Sequence, residues 1–219
     1  YAQKQHLGYL EFLELLCEDE ANSRDTNRYK KGYAKAKFPA HKNIDSFDFE
    51  FQPSIDQRII QDAMTCHYIE QKQNIVFVGD PGTGKTHLAT ALGIQALNKH
   101  YKVLFTSVAE MLQQLHMAKA DNSYYKKLRE YIQPDLLILD ELGFKKLPSY
   151  ATDDFFEVID KRYEHSSCII TTNKPFEQWN DVLGDSNLAS AILDRIMHHS
   201  IRIPINGNSY RAQHLSKKE

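Results

Sequence analysis

The stretch NIVFVGDPGTGKTHL, Asn74–Leu88, joins the most strand-like run of the chain to its most flexible backbone. Three glycines and one proline within the six residues from Gly79 to Gly84 cannot continue a strand and cannot build a helix. Without Cβ atoms, Gly79, Gly82 and Gly84 let the backbone take positive φ and turn its N–H groups inward, and such a ring of donors cradles an anion. The next segment, THLATALGIQAL, is made of helix-forming residues, so its free N-terminal N–H groups and its dipole face the same point. Lys85 brings a charge for distal phosphates and Thr86 a hydroxyl suited to Mg²⁺. The pattern G-x-x-x-x-G-K-[ST] between a strand and a helix is that of a phosphate-binding loop. The candidate nucleotide contacts are therefore Gly79, Asp80, Pro81, Gly82, Thr83, Gly84, Lys85 and Thr86, with His87 next in line. Asp80 puts a negative charge inside this loop, so its side chain is expected to point outward while the backbone N–H groups bind.

Hydrolysis needs more than a cradle. In the run PDLLILDE, Pro134–Glu141, four apolar residues carry Asp140 to the carboxyl end of a strand, where ligands of parallel sheets sit. Asp140 is placed to hold Mg²⁺ beside Thr86, and Glu141 to orient or deprotonate an attacking water. A helix N-terminal acid pair is the plainer reading of Asp140-Glu141. The next strand ends in Thr171-Thr172-Asn173, where the Asn173 amide could meet both a γ-phosphate and a water, although Asn before Lys-Pro is also a good turn residue.

Around these motifs the chain alternates. NIVFV, KVLFTS (Lys102–Ser107), PDLLILD (Pro134–Asp140), SCIITTN (Ser167–Asn173) and SIRIPI (Ser200–Ile205) are short apolar runs separated by helical stretches. That order predicts an α/β core of about five parallel strands covered on both faces. The chain has 219 residues, 42% apolar and 26% charged, with a net charge of −2, as in an ordinary globular protein. No apolar run approaches the ~20 residues of a membrane span, and no signal peptide is visible in a sequence that opens on Tyr1. Cys17, Cys66 and Cys168 lack metal-ligand spacing and suit a reducing compartment, so a cytoplasmic protein without a membrane partner is expected.

Charge is unevenly spread before the core. Glu11 to Glu20 holds five acids and no base, whereas Arg24 to Lys42 holds seven bases against Asp25 alone. An amphipathic helix is expected over residues 5–20, with a second one, capped at Asn22, Ser23 or Asp25, running to about Lys37, where Phe38-Pro39 ends it. Helix is expected again from Ser54 towards Gln71. Arg24, Arg28, Lys30, Lys31 and Lys35, interleaved with tyrosines, are DNA-contact candidates, as are Lys119, Lys126 and Lys127 near Tyr124 and Tyr125. A solvated helix face explains such clusters equally well.

The segments GDPGTGKTHLATALG, PDLLILDELGFKKL, ITTNKPFEQWNDVLGD, AILDRIMHHS and GNSYR resemble IstB-type helper ATPases of bacterial insertion sequences, relatives of DnaC-type helicase loaders within the AAA+ class. The resemblance runs from about Phe47 to Arg211, with a similar helical segment before it. It implies an AAA+ P-loop core of strand order 5-1-4-3-2 over residues 46–219 and a small, partly basic helical domain over 1–45. It further implies Walker A at 79–86, Walker B at Asp140 and Glu141, a sensor at Asn173 and a second phosphate sensor at Arg211. Arg195 is implied as an arginine finger completing a neighbour's site, although an Arg after Asp194 on a helix is more often a surface ion pair. Only about 14 residues follow Ile205, so no C-terminal helical lid is expected, and adenine contacts fall to the linker around Phe47–Pro53 and to neighbours.

The implied activity is ATP hydrolysis with Mg²⁺ by a ring or helical homo-oligomer on duplex DNA, which it deforms to direct the transposase of the same element. A DnaC-like loader of a replicative helicase keeps the chemistry and changes the client. A small-molecule phosphotransferase would need an arginine-bearing acceptor lid, which the sequence does not offer, and a DNA scaffold would bind nucleotide without turning it over.

Overall fold

The computed structural model describes residues 8–144, 147–184, 186–210 and 212. Its centre is the segment Asn74–Gly79 (β1), whose Ile75, Val76 and Phe77 are fully buried. The other strands are Val103–Ser107 (β2), Leu136–Leu142 (β3), Ser167–Thr172 (β4) and Ser200–Ile205 (β5). All pair in parallel in the order β2-β3-β4-β1-β5, which is the expected 5-1-4-3-2 counted from the other edge.

Period-two alternation splits each strand between two cores. Val76, Leu137, Leu139 and Ile170 point to one face, where Met111, Leu115, Phe155, Val158, Trp179 and Ile192 cover them. Those residues come from the helices Val108–Ala120 (α5), Ser149–Arg162 (α7), Trp179–Leu183 (α8) and Ser186–His198 (α9), with Tyr124–Ile132 (α6) beside them. Ile75, Phe77, Phe105, Leu136, Ile138 and Ile203 point to the other face. There Lys85–Asn98 (α4) lays down Leu88 and Leu92, backed by Gln57–Met64 (α2) and His67–Glu70 (α3). Burial on both faces is why β1 to β4 read as continuous apolar runs, whereas β5, at the sheet edge, leaves Arg202 and Pro204 exposed.

Two local expectations change. The segment before the core is one continuous helix, Tyr9–Ala36 (α1), rather than two. Asn22, Ser23 and Asp25 lie inside it, because no proline or glycine interrupts the chain between Gly8 and Gly32 and an Arg24–Glu20 pair at 2.6 Å braces the exposed turn. Its end is as expected: Lys37 adopts left-handed φ of 57° ahead of Phe38-Pro39. The second half of α1 docks on the core, with Ala36 buried, Gly32 against Leu97, and Tyr33 and Phe38 stacking towards Phe105. The helix expected from Ser54 to Gln71 is broken at Cys66, whose φ of 63° separates α2 from α3. Among the described residues no helix is long and apolar enough to cross a membrane.

One buried charge ties the layers together. Arg162, 1% exposed, donates to the carbonyls of Tyr131 (2.9 Å), Ile132 (3.1 Å), Pro134 (2.9 Å) and Ser167 (2.6 Å), and its Nε to Cys168 Sγ (3.3 Å). It thus satisfies the open carbonyls at the end of α6 and clamps them to the start of β4. Arg162→Met removes these donors and strands several buried acceptors, so unfolding in urea should show a loss of about 3 kcal/mol or more.

Candidate nucleotide and metal site

The loop Asp80–Gly84 leaves β1 at the carboxyl edge of the sheet and enters α4. Gly82 and Gly84 have φ of 84° and 97°, values that only glycine adopts without strain. Each also lies against another segment. A Cβ on Gly84 would come within 2.5 Å of the Phe47 ring, and one on Gly82 would overlap Ser209 Oγ. The loop is therefore walled by the linker before the core on one side and by the segment after β5 on the other. Tyr210 N–H donates to the Gly82 carbonyl at 3.0 Å, the Tyr210 ring packs on Phe51, and Gln52 Nε2 donates to the Asn208 carbonyl at 2.9 Å.

These walls enclose a cavity of about 510 Å³ that holds the loop at its floor and Phe47, Phe51 and His87 at its sides. That places aromatic surface where the linker was expected to meet a base. His87 Nε2 lies 3.0 Å from the Asn43 carbonyl, and the ring meets Phe47 edge-on at 5.3 Å. Burial lowers the His87 pKa below the ordinary imidazole range, more strongly than the hydrogen bond to the Asn43 carbonyl raises it.

Lys85 is nearly buried, and its Nζ donates to the carbonyls of Gly79 and Asp80, both at 2.7 Å. Asp80 is exposed, as expected, and takes part through its backbone oxygen. Thr83 Oγ1 donates to that oxygen too, at 2.8 Å. Helix α4, 14 residues long, starts at this loop, so the positive end of its dipole faces the same cradle.

Across the rim, β3 delivers the acids. Thr86 Oγ1 donates to Asp140 Oδ1 at 2.9 Å and lies 3.2 Å from Oδ2. A carboxylate can only accept, so the Thr86 proton is committed to Asp140 and its oxygen lone pairs remain available. Glu141 follows at left-handed φ of 62° and is exposed on the rim. Asn173, just beyond β4, is half-buried, and its Oδ1 is buried without a hydrogen-bond partner. A hydroxyl and carboxylate pair, a glycine-shaped cradle and an orphaned acceptor fit a magnesium–triphosphate group.

The remaining candidates lie elsewhere. Arg195 sits near the end of α9, at the opposite edge of the sheet, where Nε donates to Asp160 at 2.9 Å and the guanidinium lies 4.8 Å over Phe156. Arg211 lies outside the described residues. Arg28, Lys30, Lys31 and Lys35 are exposed on α1, as is Arg24 with its Glu20 partner. In the second basic cluster Lys126 is exposed, Lys127 pairs with Glu130 at 2.8 Å, and Lys119 pairs with the buried Asp154 at 2.7 Å. Sequence reasoning assigned no role to Thr171 or Tyr210; the only cue was their position inside ITTN and GNSYR.

Gly84→Ala tests the cradle. The substitution forces a Cβ into left-handed backbone and into Phe47, so nucleotide affinity should fall about tenfold or more in fluorescence titration, with a loss of stability of about 1–3 kcal/mol in thermal melting.

The sequence profile of the family described as "IstB-like ATP binding protein" matches residues 1–218. The ATP-binding protein assigned to insertion sequence IS5376 of Geobacillus stearothermophilus is 42% identical over 211 residues, 96% of this chain and 84% of that protein. Its counterpart in IS21 of Pseudomonas aeruginosa is 37% identical over 99% of this chain and 82% of its own length. Among solved structures, DnaI superposes with a TM-score of 0.64 at 21% identity, covering 75% of this chain and 91% of that one. The DnaC helicase loader gives 0.57 at 23%, covering 80% and 99%. AMPPCP-bound DnaA from Aquifex aeolicus also gives 0.57 at 23%, over 74% of this chain, which spans about half the length of the DnaA chains it resembles. The chain belongs to the IstB-like ATP-binding family of bacterial insertion sequences.

Proposed function

We propose that the protein is an ATPase that assembles on duplex DNA with ATP, deforms it, and helps the transposase of its element engage a target. The observation that carries the catalytic part is the Thr86–Asp140 contact at 2.9 Å, which joins the phosphate loop to the acid-bearing strand end. In this reading the loop N–H groups of residues 80 and 82–86 and the Lys85 side chain bind the phosphates, and Lys85 exchanges its two backbone carbonyls for phosphate oxygens. Thr86 and Asp140 would hold Mg²⁺, which would supply charge neutralisation on the phosphates. Glu141 takes up the proton of the attacking water, and Asn173 orients that water through its free Oδ1. Phe47, Phe51 and His87 bound the base, and the role of second phosphate sensor is assigned to Arg211 on the family resemblance alone.

The DNA part rests on the family's place in insertion sequences and on the row of exposed bases Arg24, Arg28, Lys30, Lys31 and Lys35 along a single helix face and its flanks. Contacts of this type bind backbone without reading bases and weaken steeply with salt. Each subunit adds few of them, so affinity grows by self-assembly. Arg195 is the candidate for completing a neighbour's site. Its pairing with Asp160 joins side chains 27% and 42% exposed, a surface pair cheap to exchange for a phosphate. The first 45 residues act as the helical DNA-facing part and residues 46–219 as the ATPase part. The DnaC-like fold keeps open the second reading, a loader of a replicative helicase.

Turnover measured with and without duplex separates these readings. Glu141→Gln should retain ATP binding and lose turnover by about a hundredfold or more; normal hydrolysis by that variant refutes the base role. Arg195→Ala should bind ATP and lose most of the DNA-stimulated rate, about a thousandfold or more where the finger acts fully; an unchanged rate refutes the intersubunit role. Preference for single strands and capture of a hexameric helicase would favour the loader.

A further inference from the structure

We propose that Thr171 is a positioning residue that sets both acids of the site at once, aiming the Asp140 carboxylate at the cation and holding Glu141 over the phosphate loop. This rests on the magnesium and ATP reading of the site given above. The register of β3 on β4 pairs Leu139 with Ile170 and Leu142 with Thr172. Two residues, Asp140 and Glu141, therefore stand opposite one, Thr171, which is a β-bulge. A bulge leaves a backbone group without its ladder partner. Here the Glu141 N–H is taken up by Thr171 Oγ1 at 3.0 Å instead of by a carbonyl of β4.

The same hydroxyl has a single proton and gives it to Asp140 Oδ1 at 2.5 Å. Donor and acceptor roles leave no other arrangement, because an amide N–H only donates and a carboxylate only accepts. Thr171 is 1% exposed and Asp140 7%, so water does not substitute for either bond. Oδ1 of Asp140 thus receives two hydroxyls, Thr171 from the sheet and Thr86 from the loop. The carboxylate is fixed from both sides. Glu141 meanwhile has a left-handed φ of 62°, with its N–H held by the Thr171 hydroxyl. Loss of the hydroxyl frees the bulge to close towards a regular ladder, and a one-residue slip in a strand turns a side chain to the opposite face.

The test compares Thr171→Val, which removes the hydroxyl at nearly constant shape, with Thr171→Ser, which keeps it. Binding of a fluorescent ATP analogue is titrated in EDTA and in rising Mg²⁺, next to steady-state turnover and thermal melting. Thr171→Val should bind the analogue in EDTA as the wild type does, need about tenfold more Mg²⁺ for half of the metal-dependent gain, and turn over at least tenfold more slowly. Thr171→Ser should recover both within about threefold. Should the valine variant not fold, Thr171→Ala against Thr171→Ser makes the same comparison. Wild-type Mg²⁺ dependence in the hydroxyl-free variant overturns the proposal, as does equal impairment of the serine and hydroxyl-free variants. A wild type that binds the analogue with Mg²⁺ yet hydrolyses no ATP even with duplex DNA present overturns the ATPase reading instead, and the Mg²⁺ titration still decides the role of Thr171.

Discussion

The hydrogen bond from Thr86 to Asp140 is the contact on which the rest depends. It joins a helix N-terminus to the end of a neighbouring strand, two points 54 residues apart in the chain. For them to meet, β3 and β1 must lie in one parallel sheet with only β4 between them, and α4 must pack back on its face. The order β2-β3-β4-β1-β5 satisfies this, and it places Asp140 beside Thr171, with Gly79 two residues beyond Phe77, the partner of Thr171 on β1, at one carboxyl edge. A ligand with separated negative charges and a cation is what such an edge can bind.

Around that contact the protein spends backbone irregularity where a regular fold would have none. Gly82 and Gly84 take positive φ, Glu141 does so without being glycine, and β3 carries a bulge. Each departure is held by a partner from a distant segment: Ser209 and Tyr210 on the loop, Phe47 on Gly84, Thr171 on Glu141. The opposite end of the sheet is built differently. There Arg162 satisfies carbonyl after carbonyl and fixes the layers beside left-handed turns at Lys72, His100 and Glu164 that lead into β1, β2 and β4. The phosphate loop and this clamp thus lie at opposite edges of one sheet.

Much of this was legible in the sequence because its signals are local. The phosphate loop lies within a single turn, Asp140 and Glu141 end an unbroken apolar run, and SIRIPI reads as the strand it forms. Burial on both faces made the other strands equally plain, within a residue or two at their ends. The strand order came through resemblance, since no local pattern encodes it. What stayed hidden arises from pairing. Thr171 acquires its place only once two residues of β3 face one of β4, and Tyr210 only when the end of β5 returns over the loop. The break expected in α1 failed for a related reason: Asn22, Ser23 and Asp25 favour caps, but nothing nearby forces a turn, and an exposed helix tolerates them.

A double-mutant cycle on Thr86→Ala and Asp140→Asn, read as Mg²⁺-dependent ATP affinity by titration calorimetry, tests most directly whether loop and strand form one site. The account predicts strong coupling: either change alone removes most of the magnesium-dependent gain, and the pair loses little more, an interaction of about 1 kcal/mol or greater. Losses that simply add, or ATP binding indifferent to magnesium in the wild type, would contradict it.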